Sequence, residues 1–172
     1  QDKYFHAGIS GISSFVTASR GIANWTSYTH ATTPKATIQG MYISGSHLFT
    51  CERDGDQTGR LVIYETGSYG QLTQVASQDL KDWNTEHYGF RGVPFNVEAQ
   101  GGYVYVGDYR GGLYSCVFDE SNDSISSIKY IPLKETGRRD TWDATGTYQK
   151  DVNDWSFDFT NGYLWVLHRN DY

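Results

Sequence analysis

Apolar and polar residues alternate in short runs along most of the chain, and glycine-containing turns separate the runs. The stretch GGYVYVGDYRGGLYSCVFDE, residues 101–120, shows the pattern: two runs rich in aromatic and β-branched residues flank a glycine-rich turn. A hydrophobic period of two places successive side chains on opposite faces of a strand. The pattern therefore predicts an all-β protein of short strands joined by tight turns.

The strand pattern is itself repeated along the chain. Residues 61–80 match residues 113–133 as a strand, a polar turn and a second strand that ends in Leu, and a partial copy lies at 4–16. A turn glycine followed by an aromatic strand recurs at 45–50, 101–106 and 161–166. Each full copy offers four strands, which is the unit of a β-propeller blade. The predicted fold is therefore a β-propeller of four-stranded antiparallel blades.

The repeat divides the chain into about three blades' worth of strands: a partial blade at 1–33, full blades at 36–80 and 93–134, and a partial blade at 155–172. A closed propeller needs roughly four to eight blades, so an incomplete ring is expected. Further chain or other subunits would then close it, and the open flanks could join copies into a ring or a fibre. The alternative fold is a sandwich, whose strands alternate without a long period.

Two stretches carry a resemblance to a known family. They are YVYVGDYRGG at 103–112 and YQKDVNDWSFDFTNGYLWVLHRND at 148–171. Both resemble strand motifs of the seven-bladed propeller lactonases, a family that includes 6-phosphogluconolactonase-like proteins and carboxymuconate cyclases. The resemblance implies lactone chemistry. The family's histidine positions are not kept, because Asn96 stands at one of them and Asn153-Asp154 occupies another.

Lactone hydrolysis needs a base that activates water and a cation or donor set that holds the developing oxyanion. An amide side chain cannot be that base. The candidates that remain are Asp154 as the base and Arg110, Arg138 or Arg139 as the group that binds a carboxylate. The interpretation is a non-catalytic binding or assembly module of lactonase-like ancestry, with no cofactor. The alternative is a lactonase or cycloisomerase that acts on sugar or muconic-acid lactones.

Aromatic and acidic residues adjoin one another near the predicted blade junctions, at Asp82-Trp83, Trp142-Asp143 and Asp154-Trp155. An indole face beside a carboxylate suits a sugar ring and its hydroxyl groups, although Trp residues also fill the space between blades. Position in the repeat predicts that Asp108, Tyr109, Arg110 and Trp155 bind the ligand, a carbohydrate or a small acid.

Other sequence motifs suggest further sites. The segment SQDLKDW at 77–83 looks like a motif of five-bladed glycoside hydrolases. A glycosidase needs two carboxylates, and the candidates here are residues such as Asp79, Glu98 and Asp143. Asp54 and Asp56 lie in a glycine loop that is either a calcium cage or a solvated turn. The five histidines fall in no metal-ligand spacing, so no metal is predicted.

The net charge of the chain and its processing signals indicate which partners and which cellular location to expect. A net charge of −6 gives no basic surface for nucleic acid or an anionic membrane, and no apolar stretch approaches the roughly 20 residues that span a bilayer. The first residue is Gln1 and glycosylation sequons begin at Asn24 and Asn122, which favours an extracellular protein. Cys51 and Cys116 either form a disulfide or remain two buried thiols.

Overall fold

The computed structural model contains strands and tight turns in every part of the chain that it describes. The described residues are 3–8, 11–18, 21–29, 37–53, 59–68, 71–80, 94–108, 112–132, 152–160 and 163–170. Side chains are described for Ile12, for residues 163–165 and for most of the segment 37–130. No helix in these ranges has the length and hydropathy to cross a membrane.

The described residues form thirteen β-strands, and the prediction of an all-β chain is confirmed. The strands are β1 Lys3–Gly8, β2 Gly11–Ala18, β3 Gly21–Thr29, β4 Thr37–Ser44, β5 His47–Arg53, β6 Gly59–Thr66, β7 Leu72–Asp79, β8 Pro94–Gln100, β9 Tyr103–Asp108, β10 Gly112–Asp119, β11 Ser124–Pro132, β12 Val152–Thr160 and β13 Tyr163–Asn170.

The strands pair with their neighbours in sequence, always antiparallel, to give four separate sheets. Two of the sheets have four strands, in the orders β4-β5-β6-β7 and β8-β9-β10-β11. A three-stranded sheet, β1-β2-β3, precedes them and a two-stranded sheet, β12-β13, follows. Such meanders are propeller blades, and the predicted four-stranded antiparallel blade is confirmed.

The blades pack on one another in chain order with a constant geometry. The first strand of each later sheet contacts the sheet before it: β8 contacts β4 and β5, β12 contacts β8 and β9, and β4 contacts β1. The outermost strands β7 and β11 are also in contact. A sandwich would instead press two sheets face to face. The described part of the chain is therefore an arc of blades, an incomplete propeller ring.

The core lies between the blades, because the first full blade, β4–β7, is covered on both faces. Alternation along β5 sends Phe49 and Cys51 into a cluster with the following blade, where they meet Val104, Val106 and Tyr114. The opposite face of β5 and β6 packs toward the first sheet, where Leu48, Val62 and Tyr64 surround Ile12. Strands β5 and β6 are thus buried on both sides, in the manner of an interior strand rather than a surface strand.

The innermost strands approach so closely that one position between them admits only glycine. A Cβ on Gly40 of β4 would lie 2.9 Å from the Phe95 carbonyl oxygen and 3.0 Å from the Asn96 Cα, both in β8, and 3.1 Å from the Cys51 Sγ. Two of these three atoms belong to backbone, which cannot move aside cheaply. The missing side chain at Gly40 sets the spacing of the two full blades at their inner strands.

Both cysteines are free and buried. Of the two alternatives that the sequence left open, the structure therefore has two buried thiols and no Cys51–Cys116 disulfide. They belong to the same cluster between the full blades, where Cys51 is fully buried and Cys116 is nearly so. Burial raises the pKa of the Cys116 thiol to about 12, and it raises that of Cys51 as well. Thiols held in the protonated form serve here as small apolar side chains.

Candidate functional site

The two ends of the blades differ in how their strands are connected. At one end, which we call the turn rim, two-residue turns at Gly45-Ser46 and Gly101-Gly102 join the first strand of a blade to the second. The three glycines there have φ values of 60°, 60° and 82°, a left-handed conformation that glycine adopts without strain. Both of these turns are two residues long, so little chain projects beyond the strands there.

The opposite end, which we call the loop rim, carries the longer connections. It is defined by the second-strand ends Arg53 and Asp108 together with the first-strand starts Thr37, Pro94 and Val152. Connections longer than a turn leave this rim between β5 and β6, between β7 and β8, and between β11 and β12. Binding residues are concentrated on loops that a rigid scaffold positions. The loop rim is therefore the candidate functional surface.

The structure places the described candidates of the sequence analysis at this rim. Asp108 is the last residue of β9 and pairs with Pro94 and Gly112. Asp154 and Trp155 lie near the start of β12, which packs against β8 and β9. The backbones of Asp108 and of the Asp154-Trp155 pair are thus on neighbouring sheets at the same rim. The predicted residues Tyr109, Arg110, Arg138 and Arg139 lie outside the described residues.

A β-bulge recurs where each first strand enters the loop rim. The register of the inner strand pair skips one residue in each of the three sheets that have such a pair, and the extra residues are Gln39, Phe95 and Asp154. A bulge bends its strand and turns the side chain away from the regular alternation. Asp154 therefore belongs to a kind of bulge that recurs in all three inner strand pairs, and it lies one residue pair farther from the hairpin turn than Gln39 and Phe95 do.

Glu52 is an acidic residue of this rim that the sequence analysis missed. The pairing of Cys51 with Leu61 in one full blade corresponds to the pairing of Gly107 with Leu113 in the next, which makes Glu52 the counterpart of Asp108. The signal that could have found it was this register, since each of the two is the sixth residue of the second strand of its blade. Glu52 is 2% exposed, so the carboxyl group lies inside the blade interface.

Hydroxyl groups hold the Glu52 carboxyl in place. Tyr64 donates a hydrogen bond of 3.2 Å to Oε1, and the Thr50 hydroxyl lies 2.9 Å from the same oxygen and 3.1 Å from the Val62 carbonyl oxygen. Burial raises the pKa of Tyr64, and the neighbouring Glu52 raises it further. An oxygen that accepts from Tyr64 and has the Thr50 hydroxyl within hydrogen-bond distance is poorly placed to take a proton from a substrate.

Asp79, one of the carboxylates considered for a glycosidase, is also held by a partner. The Arg60 Nε donates to its Oδ1 at 3.2 Å across the β6–β7 pair. Glu98 lies in β8 opposite Tyr105, and Asp143 is outside the described residues. Among described residues, no three His, Cys, Asp or Glu side chains come together as metal ligands. The calcium candidates Asp54 and Asp56 lie outside the described ranges.

The two sequons fall in different kinds of local structure. Asn122 lies in the exposed β10–β11 turn, where its side-chain amide donates to Asp119 at 2.7 Å. Hydrogen bonds from Ser121 and Asn122 lower the pKa of Asp119. Asn24 lies within β3, at the point where the β2–β3 register is irregular. Glycosylation at either position remains a prediction.

Comparisons with known proteins identify no family for the chain. No family model matches the sequence, and no curated protein does. A solved structure, the major allergen Mala s 1 of Malassezia sympodialis, matches with 9% identity and a TM-score of 0.49 over 80% of this chain. The chain spans about half the length of that protein, covering 50% of it.

The predicted resemblance to the propeller lactonases was wrong, because no comparison finds evidence for that family. The two segments on which the resemblance rested, 103–112 and 148–171, largely coincide with strands: they contain β9, the start of β10, β12 and β13. They describe a hairpin with an aromatic strand, which any blade of this kind needs. The shared pattern belongs to the architecture and gives no information about lactone chemistry.

Proposed function

We propose that the chain is a non-catalytic, extracellular β-propeller module that binds a carbohydrate at the loop rim. The observation that carries the proposal is the placement of Asp108 and the Asp154-Trp155 pair on neighbouring sheets of that rim. Carboxylates accept hydrogen bonds from sugar hydroxyl groups, and an indole provides an apolar face for the ring. Tyr109 and Arg110 follow Asp108 directly in the sequence and extend the same residue set.

A carbohydrate suits this rim better than a small acid does. The described rim and the strands below it contain the acidic residues Glu52, Asp79, Asp108 and Asp154 together with Arg53 and Arg60, and the whole chain carries a net charge of −6. An anionic ligand would approach against that potential, whereas a neutral sugar would not. The fixed hydrogen bonds of Glu52 and the ion pair of Asp79 favour binding over acid-base catalysis.

The extracellular part of the proposal rests on the two sequons. Asn122 is exposed in a turn, which is the setting that N-glycosylation requires. This turn belongs to the end of the blades opposite the loop rim, because it joins β10 to β11 at the end where Phe118 meets His47. A glycan there would leave the proposed binding surface clear.

The experiment is a glycan-array screen followed by titration calorimetry with the best oligosaccharide. We expect Trp155→Ala to weaken binding at least tenfold, which corresponds to about 1.4 kcal/mol. Asp108→Asn should weaken it as well, because an amide accepts fewer hydrogen bonds than a carboxylate.

The matched control is Tyr103→Ala, which removes an exposed aromatic ring from the turn rim and should leave affinity unchanged. Circular dichroism would verify that each variant keeps its strands. The proposal is refuted if no oligosaccharide binds, or if Trp155→Ala and Asp108→Asn bind as tightly as the unchanged protein.

A further inference from the structure

The last two strands of three sheets share one irregularity of register. In β2–β3, β6–β7 and β10–β11 alike, the register shifts directly after the third residue pair from the connecting turn. The pairs before and after the shift are Val16–Ala23 and Ser14–Thr26 in β2–β3, and Val117–Ser126 and Ser115–Lys129 in β10–β11. In these two sheets, the last strand therefore places two residues opposite one residue of its neighbour.

This register places the sequon at 24–26 on the positions that 127–129 occupy in β11. The correspondences are Asn24 with Ser127, Trp25 with Ile128 and Thr26 with Lys129. In β11, the first and the third of these positions are exposed, and the second packs against the core cluster between the full blades. The two residues that N-glycosylation requires thus stand at register positions that are exposed in the described blade.

The first bulge position has a backbone conformation that suits asparagine. Ser127 has a φ of 53°, in the left-handed region. Residues other than glycine rarely adopt this region, and asparagine does so several times more often than most of them. Asn24, at the register position of Ser127, is therefore a residue type that the bulge accepts readily.

The strand that contains this sequon is an edge strand without charge. It comes last in the order β1-β2-β3, and its sequence, GIANWTSYT, contains no Asp, Glu, Lys or Arg. The last strands of the two full blades each have a charged residue, Asp79 in β7 and Lys129 in β11. Charged side chains protect edge strands from pairing with other chains, and uncharged segments rich in aromatic and β-branched residues are prone to such pairing. Strand β3 lacks that protection.

We propose that Asn24 carries an N-linked glycan, which covers the edge of β3 and prevents it from pairing with other chains. The inference rests on the extracellular location proposed above and does not depend on carbohydrate binding at the loop rim. The donor is an oligosaccharide attached to a lipid diphosphate. The bond between C1 of its first sugar and the phosphate oxygen breaks, a bond from C1 to the Asn24 Nδ2 forms, and the amide nitrogen releases one proton.

The test is to produce the full chain behind a secretory leader in a eukaryotic host and to analyse its peptides by mass spectrometry. We expect the peptide that contains Asn24 to carry an oligosaccharide. Asn24→Gln and Thr26→Ala should both remove it, whereas Thr26→Ser keeps the sequon and is the matched control. An unmodified Asn24 in the secreted, unchanged chain would overturn the proposal. A glycan array without a bound oligosaccharide would refute the loop-rim proposal and leave this one standing.

The protection of the edge is measured on the folded protein, so it does not depend on whether a variant folds. An endoglycosidase trims the glycan to its first sugar and leaves the amino-acid sequence unchanged. We expect light scattering to show a larger fraction of high-mass aggregates after trimming of Asn122→Gln, in which Asn24 keeps its sequon. The same treatment of Asn24→Gln should have no such effect. Equal aggregation before and after trimming of Asn122→Gln would refute the protective role.

Discussion

Glu52 shows at the scale of single residues how a carboxyl group is accommodated inside a propeller. It lies between two blades, and hydroxyl groups of Thr50 and Tyr64 supply the hydrogen bonds that water would give it at the surface. A buried polar group without such donors costs more than a hydrogen bond contributes. The two hydroxyl groups thus help to accommodate an acidic residue at this position.

Removing one donor should therefore reduce stability measurably. We expect Tyr64→Phe to lower the free energy of unfolding by about 1–2 kcal/mol, because the Glu52 carboxyl loses a hydrogen bond while the ring stays packed. Urea denaturation at neutral pH measures this change. Tyr103→Phe is the control, since its ring is 55% exposed, and it should change stability by much less. Equal losses in the two variants would contradict this account of Glu52.

The residue scale is also where the sequence was least informative. Asp108 was found because it ends a recognisable strand, but Glu52 occupies the same register and was not. The alternating pattern of β5 carries no sign that both of its faces are covered, because burial there is decided by the neighbouring sheets rather than by local sequence. Contacts between blades could not be predicted from one strand at a time.

At the scale of elements, the spacing of the inner strands depends on backbone packing. Gly40 of β4 faces the bulged start of β8 with no space for a side chain. The strands and their order followed from the alternation and from the glycine turns, and so did the four-stranded blade. The lactonase resemblance failed at the same scale, because the words compared were strands and turns that every blade shares.

A methyl group at Gly40 should force the two full blades apart. We expect Gly40→Ala to lower the free energy of unfolding by about 1–3 kcal/mol, the usual cost of overpacking. Gly67→Ala is a matched control, because its nearest atom, at 2.8 Å, is the Oε1 at the far end of the flexible Gln71 side chain, while the fixed Gln71 Cβ is 3.3 Å away. The expected result is a clearly smaller loss for Gly67→Ala in parallel urea titrations. A neutral Gly40→Ala would show that the inner strands adjust freely.

At the scale of the whole molecule, the core between the blades is held partly by groups that must stay protonated. Cys51, Cys116 and Tyr64 all have a pKa above the ordinary value, in each case mainly because of burial. When the unfolded chain releases these protons at a lower pH than the folded chain, alkaline conditions favour unfolding. The stability that these groups provide is complete below pH 9 and is lost as the pH rises.

The sign and the slope of this effect can be measured. Between the ordinary thiol pKa of 9.0 and the folded value of about 12 for Cys116, the unfolded state binds fewer protons. Each such thiol should then reduce the free energy of unfolding by up to about 1.4 kcal/mol per pH unit. Cys116→Ala should flatten the decline measured by urea titrations from pH 8 to pH 11. The neighbouring Ser115→Ala should leave the slope unchanged, and an unaltered slope in Cys116→Ala would contradict the prediction.

The bulges at Gln39, Phe95 and Asp154 have a consequence for how such a molecule can diversify. An amide, a phenyl ring and a carboxylate stand at the bulges of the three inner strand pairs, and the antiparallel pairing continues on both sides of each bulge. The ladder hydrogen bonds on both sides of each bulge are made by backbone atoms, so they do not depend on which side chain the bulge carries. The side chains that the bulges place at the loop rim could therefore change during evolution, one blade at a time, while the blade architecture stays the same.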